Sequence, residues 1–359
     1  VTTIATGNLV AAAAALAGLA AEQADAADRD RRLSTELLDA LLAAGFARHF
    51  VSTRHGGAEG TFTDLAQALM TVGAGCASAA WVGLIYASSS RMAGFLPEEG
   101  CRDVWAAGPD TPVASALRPA GRAVRDGDHW VIGGRWEFLS GIGRAEWALL
   151  CVAGDDGTRY FAVPRTDWTV EATWLATGMR ATASDTVVVT EAQVPATRSF
   201  AHQVLLTGTT DAAACHRVPL AGCGPQLFAA AAIGPAAAAL DRWAATRAKK
   251  DTVARLALAR SAAELDVARL LVVRAATTAD RITLTPAETA TTMRDSAVAA
   301  RMTRDATDRL IELSGSAMLS ERDPLQRAWR DVRTATAHGA LSLDAASVPY
   351  ARDVWGWRE

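Results

Sequence analysis

The sequence predicts a mainly α-helical protein with one β domain set into its middle, and three observations carry that expectation. Ala-rich stretches with apolar residues on a helical period occupy both ends of the chain. Between about Pro112 and Pro195 they give way to short runs of β-branched and aromatic residues, punctuated by DGD, DDG and ATG turns. With 359 residues, half of them apolar, the chain is too long for one ordinary compact core. The changes of texture predict an N-terminal helical domain over 1–111, a β domain over 112–206 and a C-terminal helical bundle over 207–359.

Taken in order, LVAAAAALAGLAA (Leu9 to Ala21) has the apolarity of a signal-peptide core. No basic residue precedes it, and it runs into the charged, helix-compatible EQADAADRDRR, so it reads as the first helix of the fold. ELLDALLAAGFARHF carries a helical period and meets Gly45 at its end. FTDLAQALMTVGAGCASAAWVGLIYASSSRMAGF reads as two helices broken by the small residues Gly73 to Ser78, and a further piece follows Pro97. HWVIGGRWEFLSG, AEWALLCVAG, TRYFAVPRTDWTVE and DTVVVTEAQVP are the expected strands. After a Gly/Thr/Pro-bearing connection from Thr207 to Pro225, the chain is helical to its end, with Leu258, Ala262, Leu265, Ala268 and Val272 marking one face. Met293, Ala297, Ala300, Thr303, Thr307 and Leu310 mark another, and Pro235 is expected to kink or delimit its helix.

Several function classes lack their signatures. A net charge of -3 does not provide the basic footprint of a nucleic-acid or anionic-membrane binder, which points to a small-molecule substrate. The five cysteines are scattered without a CxxC pair, which suggests neither a zinc ribbon nor a disulfide framework and makes the cytoplasm the default compartment. His49, His55 and the Cys215–His216 pair have no companions at ligand spacing, so no metal is expected. No GxGxxG opens a helix after a strand, and GxxxxGK[ST] and GxSxG do not occur. The basic series Arg242, Arg247, Lys249, Lys250, Arg255 and Arg260 reads as a solvated helix face, with a flavin phosphate as the sharper alternative. His338 lies in an otherwise small and apolar stretch, where an imidazole is either a partner of a backbone group or a general base near neutral pH.

LSTELLDALLAAGFARHFVSTRHGG, SAAW, GRWEFLSG (a W-x-F-x-S-G strand) and LQRAWRDVRTATAH (an R-x-W-R-D…H segment) occur in that order along the chain. In them the chain resembles the acyl-CoA dehydrogenase fold, and within it the two-component, reduced-flavin-dependent monooxygenases known as group D. The resemblance covers nearly the whole chain and implies a helical domain, a β-barrel or sandwich, and a C-terminal four-helix bundle through which homotetramers form. It implies hydroxylation of a small aromatic or polycyclic substrate through a flavin C4a-hydroperoxide, using O2 and reduced FMN or FAD from a separate NAD(P)H-dependent flavin reductase.

The resemblance also implies site residues. Trp136 lies against the flavin ring, Ser140 hydrogen-bonds near flavin N5, and Phe138 and Gly141 complete that cofactor wall. Thr182 and Ser184 stand where relatives show T-G-S, with Ala183 in place of the glycine. Trp81 and His338 contact the substrate, and His338 deprotonates or orients it. Ser89 stands about where aromatic-hydroxylating relatives place a histidine, a departure that points away from a simple phenol. Acyl-CoA dehydrogenases carry Tyr-Glu where this chain has His338-Gly339, so the carboxylate base is missing there. Glu264 and Glu312 are alternative positions for it, both among charged, solvent-facing neighbours. A dehydrogenase or oxidase and a flavin-free repurposed member are the competing readings. The Ala- and Arg-rich composition suits secondary metabolism.

Overall fold

The computed structural model describes residues 9–154, 157–209, 213–246 and 251–357. Five helices come first: α1 (Leu9–Asp30), α2 (Thr35–Ala43), α3 (Phe62–Gly75), α4 (Ala77–Ala93) and α5 (Glu98–Val104). In α1 the buried residues Leu9, Ala13, Leu16, Ala20, Ala24 and Ala27 recur every three or four positions, so one stripe faces inward. Although α1 is long and apolar enough to cross a bilayer, this stripe packs it against α3. Ser34 caps α2 by accepting the Leu37 N–H, and Thr61 caps α3 by accepting that of Asp64. Between α3 and α4, Cys76 is extended, which makes the small-residue break a single-residue joint.

Eight strands follow: β1 (Val113–Ala116), β2 (Arg122–Asp126), β3 (His129–Leu139), β4 (Trp147–Gly154), β5 (Gly157–Pro164), β6 (Thr169–Glu171), β7 (Asp185–Pro195) and β8 (Ser199–Ala201). They form two four-stranded sheets of order β1-β4-β5-β8 and β2-β3-β7-β6, antiparallel except for the β1–β4 pair. Trp130, Ile132 and Trp136 of one sheet meet Leu150, Phe161 and Val163 of the other to make the sandwich core. On its opposite face the first sheet presents Leu149, Cys151 and Tyr160 to Met92, Leu96 and Trp105, so it is covered by the first helical region. Burial on both faces explains why β4 reads as an unbroken apolar run. The sequence shows little of β1, β2 and β8, which are short, small-residue or exposed edge segments, while β6 is the end of the TRYFAVPRTDWTVE run.

The last region comprises α6 (Gln203–Thr207), α7 (Leu220–Cys223), α8 (Pro225–Thr246), α9 (Thr252–Ala279), α10 (Pro286–Glu312), α11 (Pro324–Ala335) and α12 (Leu343–Trp355). Leu265, Ala268 and Val272 are buried on α9, while Leu258 and Ala262 are partly buried at the edge of that stripe. Of the two outcomes expected for Pro235, it does not delimit α8, which continues through it. Its ring rests against Gly73, and a Cβ on Gly234 would sit 2.3 Å from the Met70 carbonyl oxygen. This close packing of α8 on α3 offsets the missing backbone hydrogen bond. Arg242, Arg255 and Arg260 are exposed, and Arg247, Lys249 and Lys250 lie outside the described residues. One core runs from α1–α4 into α8, α9 and α10, so the first and last helical regions share their apolar interior.

Candidate active site

A cavity of about 740 Å³ opens where the sandwich, α4, α8 and the end of α11 meet. Its volume lies within the range of small-molecule sites. Four contacts inside it form a chain. Trp81 Nε1 donates to Ser140 Oγ at 3.1 Å, Ser140 Oγ lies 2.6 Å from Ser184 Oγ, and Ser184 Oγ lies 2.7 Å from Thr182 Oγ1. Thr182 Oγ1 in turn donates to the Met179 carbonyl at 2.9 Å. An indole N–H only donates and a carbonyl only accepts, while each hydroxyl has one hydrogen. All contacts are therefore satisfied together in one direction, running from Trp81 to Met179. Ser140 consequently spends its hydrogen on Ser184 and offers the cavity a lone pair.

The strand carrying Ser140 corrects the expected cofactor wall. In a regular strand Trp136 and Phe138 share a face. Here the β3–β7 register shifts between Trp136 and Leu139, and this bulge turns Phe138 to the opposite side. Trp136 is 1% exposed, donates its Nε1–H to the Cys151 carbonyl at 2.7 Å and belongs to the sandwich core, not to the cavity. Phe138 is 53% exposed, lines the cavity edge-on to Trp174 at 6.0 Å, and has φ +66°. That backbone conformation is strained for an aromatic residue. Phe138→Asn, which tolerates the left-handed region, is expected to raise unfolding free energy by about 1 kcal/mol while weakening reduced-flavin binding severalfold. Urea unfolding and anaerobic flavin titration read the two effects, and an asparagine variant that binds as the parent does would remove Phe138 from the wall.

Two further expected contacts are placed elsewhere. Gly141, at φ +69°, does not line the cavity; its N–H donates to the Thr182 carbonyl at 2.8 Å and its carbonyl accepts from Tyr86 Oη at 2.9 Å. A Cβ there would press on Val82 and Tyr86, so Gly141 positions Ser140 from behind. Ser89 is fully buried with its hydroxyl on Ser115 at 2.9 Å, and Ser88 and Ser115 reach the cavity in its stead. Ala183 adopts φ +42°, so the turn keeps a glycine-like backbone without the glycine.

His338 lines the cavity with its ring stacked on Phe228 at 3.9 Å and edge-on to Trp81 at 5.8 Å. Its Nδ1 accepts the Ala340 N–H at 3.2 Å, because His338 caps the short helical turn over 339–341. Burial, reinforced by the Arg118 charge, pushes its pKa down to about 4, so the ring is neutral at physiological pH. With Nδ1 accepting, the single proton resides on Nε2. The imidazole thus presents a donor to the cavity.

The R-x-W-R-D segment acts behind the wall. Asp331 is buried and accepts the Met179 N–H at 2.6 Å, while Arg330 pairs with Asp28 and donates to the Thr177 carbonyl. Burial raises the Asp331 carboxyl to about 6. Trp329 Nε1 and Arg333 both reach Asp308, which fixes α11 against α10. Met179, Trp174 and Phe228 were not singled out from the sequence, since an aromatic or Met in an apolar run carries no mark of which side it faces. Glu264 is engaged by Arg309 and Arg260 and Glu312 is exposed, so neither supplies a carboxylate to the cavity. All five cysteines are buried thiols, and among the described residues no His/Cys/Asp/Glu group has metal-binding geometry.

The family model described as "Acyl-CoA dehydrogenase, C-terminal domain" matches residues 226–343. The chain is 26% identical to the flavin-dependent monooxygenase oxygenase subunit HsaA of Rhodococcus jostii, over 93% of this chain and 95% of that protein. It is 25% identical to the oxygenase component of the FADH2-dependent resorcinol hydroxylase of a Rhizobium species, over 97% and 94%. Its structure superposes on XiaF from Streptomyces sp. in complex with FADH2 and glycerol, with a TM-score of 0.90, 26% identity, and coverage of 98% and 95%. The acceptor at Ser140, the exposed aromatic Phe138 and the apolar slot between them fit a flat heterocycle with an N–H edge, which reduced flavin has. The chain is an oxidoreductase of the acyl-CoA dehydrogenase fold, and along nearly its whole length it is similar to oxygenase components of flavin-dependent monooxygenases.

Proposed function

We propose that this chain is the oxygenase component of a two-component system that hydroxylates a small aromatic or polycyclic molecule. The observation that carries the residue roles is the one-way hydroxyl chain ending in an acceptor at Ser140, beside a neutral imidazole that can only donate. Phe138 and Trp174 would flank the flavin ring, and Ser140, backed by Ser184 and Thr182, would accept its N–H edge. When bound, reduced flavin supplies the activated oxygen atom drawn from O2. Trp81 and Phe228 hold the substrate ring, and His338 donates its Nε2–H to the substrate's oxygen or nitrogen, which orients it. Apolar residues such as Ile85, Met92 and Leu227 exclude water from the slot.

Of the two roles expected for His338, the tautomer supports orientation over proton removal. A dehydrogenase reading lacks its base, since the acidic residue on the cavity, Glu137, is exposed at the end of β3. Reduced FMN or FAD comes from a separate NAD(P)H-dependent reductase. We further propose a cytoplasmic homotetramer of three-domain chains divided at 111/112 and 206/207, with a place in secondary metabolism. Exposed Val253, Leu256, Val267 and Leu270 on α9 support contact between copies through the bundle.

Anaerobic titration tests the assignment of Ser140. The protein should bind reduced FMN or FAD about tenfold more tightly than the oxidised form, whose N5 has no hydrogen to donate, a factor worth one good hydrogen bond. Ser140→Ala should erase that preference. Equal affinities in the unaltered protein would overturn the acceptor role.

A further inference from the structure

α4 lines the cavity with Trp81, Ile85, Ser88 and Met92, the recurring face of one helix, and Arg91 lies with them at the far end. From Trp81, which holds Ser140, to Arg91 is ten positions, about 15 Å of helical rise. Arg91 is 3% exposed. Its Nε donates to the Cys215 carbonyl at 2.9 Å and its Nη2 to the Val218 carbonyl, with the rings of Phe95 and Phe62 at 5.4 and 5.9 Å. Among the described residues Nη1 has no hydrogen-bond partner and no carboxylate pairs with the guanidinium. Glu59, whose charge is felt at neighbouring Cys215 and His216, has its carboxylate engaged by Ser52 and Thr53.

A desolvated charge of this kind is ordinarily matched by an opposite one. Two carbonyl dipoles and two ring faces offset only part of the cost, and Nη1 remains free beside the cavity. A guanidinium's planar fork matches a carboxylate. We propose that Arg91 is the anion-recognising residue of the substrate site and that the substrate is an extended aryl carboxylic acid. Its ring to be oxygenated lies between Trp81, Phe228 and His338, and its carboxylate sits on the order of 10 Å away at Arg91. The distance excludes a bare phenol. This inference rests on the monooxygenase reading for where the chemistry occurs, while recognition of the acid stands by itself.

The test uses flavin-free protein and measures binding by calorimetry, so a failure of oxygenation does not enter it. The probes are 4′-hydroxybiphenyl-4-carboxylate and its primary amide, equal in shape and different in charge. The unaltered protein should bind the acid at least tenfold more tightly than the amide. Arg91→Gln should bring the two affinities together, and Arg91→Lys should keep part of the difference, with circular dichroism melts reporting whether each variant folds. A purely structural Arg91, tying down the 215–218 carbonyls, would lower both affinities alike. Equal binding of acid and amide by the unaltered protein, or no binding of the acid, overturns the proposal, and this arm decides it even if Arg91→Gln does not fold. It is also overturned if Arg91→Gln leaves the acid preference intact and removes a preference for FMN over riboflavin, since Arg91 would then hold the flavin phosphate.

Discussion

Replacing His338 with alanine is expected to lower hydroxylated product per reduced flavin consumed by roughly tenfold to a hundredfold, the range of a lost hydrogen bond to a developing charge. The balance should leave as hydrogen peroxide, measured with a peroxidase-coupled dye. His338→Gln discriminates between the two roles of the ring. A glutamine amide donates a hydrogen from near the Nε2 position but accepts no proton in this pH range, so it should restore part of the coupling if His338 donates and none if it is a base. The pH profile gives a second reading. With its pKa near 4, the imidazole is neutral throughout pH 6–9, so coupling should show no inflection there that His338→Gln removes. An inflection near pH 6.5 that disappears in the variant would restore the general base. For stability the sign is the buried-neutral one. Below about pH 6.5 the unfolded chain takes up a proton that the native ring refuses, so the His338 contribution is lost as pH falls towards 4 and is constant above 6.5.

Gly178→Ala, between the cavity-lining Thr177 and Met179, should be the most damaging single-methyl change next to the cavity. The added Cβ would lie 2.1 Å from the Arg330 carbonyl oxygen, 2.3 Å from its carbon and 2.7 Å from Thr334 Oγ1. Two of those atoms are helix backbone, so no side-chain rotation relieves the clash, and the 176–184 segment must lift from α11. A loss of about 3 kcal/mol or more in urea unfolding is expected. Because this segment carries Met179, Thr182 and Ser184, reduced-flavin affinity should fall with it. Gly143→Ala, where nothing lies within 4 Å of the new methyl, is the matched control and should be close to neutral. A Gly178→Ala protein as stable as that control would show that the segment does not depend on close docking.

Much of the fold was legible because its signals are local. The Gly73 to Ser78 break, the apolar stripe Leu265–Ala268–Val272 and the alternating runs of β3 and β7 follow from side-chain period and turn chemistry, which neighbouring residues specify among themselves. The brief edge strands β1, β2 and β8 were not, since three to five residues held by pairing alone leave no pattern. Whether Pro235 would end its helix was not legible, because its cost is intrinsic while its compensation, the approach of α3 at Gly234, lies more than 150 positions away in the chain.

The sequence by itself determined the order of helical, β and helical regions, the replacement of a Tyr-Glu pair by His338-Gly339, and the W-x-F-x-S-G and R-x-W-R-D segments that mark the kinship. Only the tertiary structure decided which groups face the cavity. A bulge in β3 exchanged Trp136 for Phe138, the Ala340 N–H chose the tautomer of His338, and the chain from Trp81 to Met179 gave Ser140 its polarity. The bulge and the hydroxyl chain join segments far apart in sequence, and the tautomer follows from the tight turn after α11; composition and period say nothing about such contacts. The type of residue at a site is written in the chain; the direction in which its lone pair or hydrogen points is set by what folds against it.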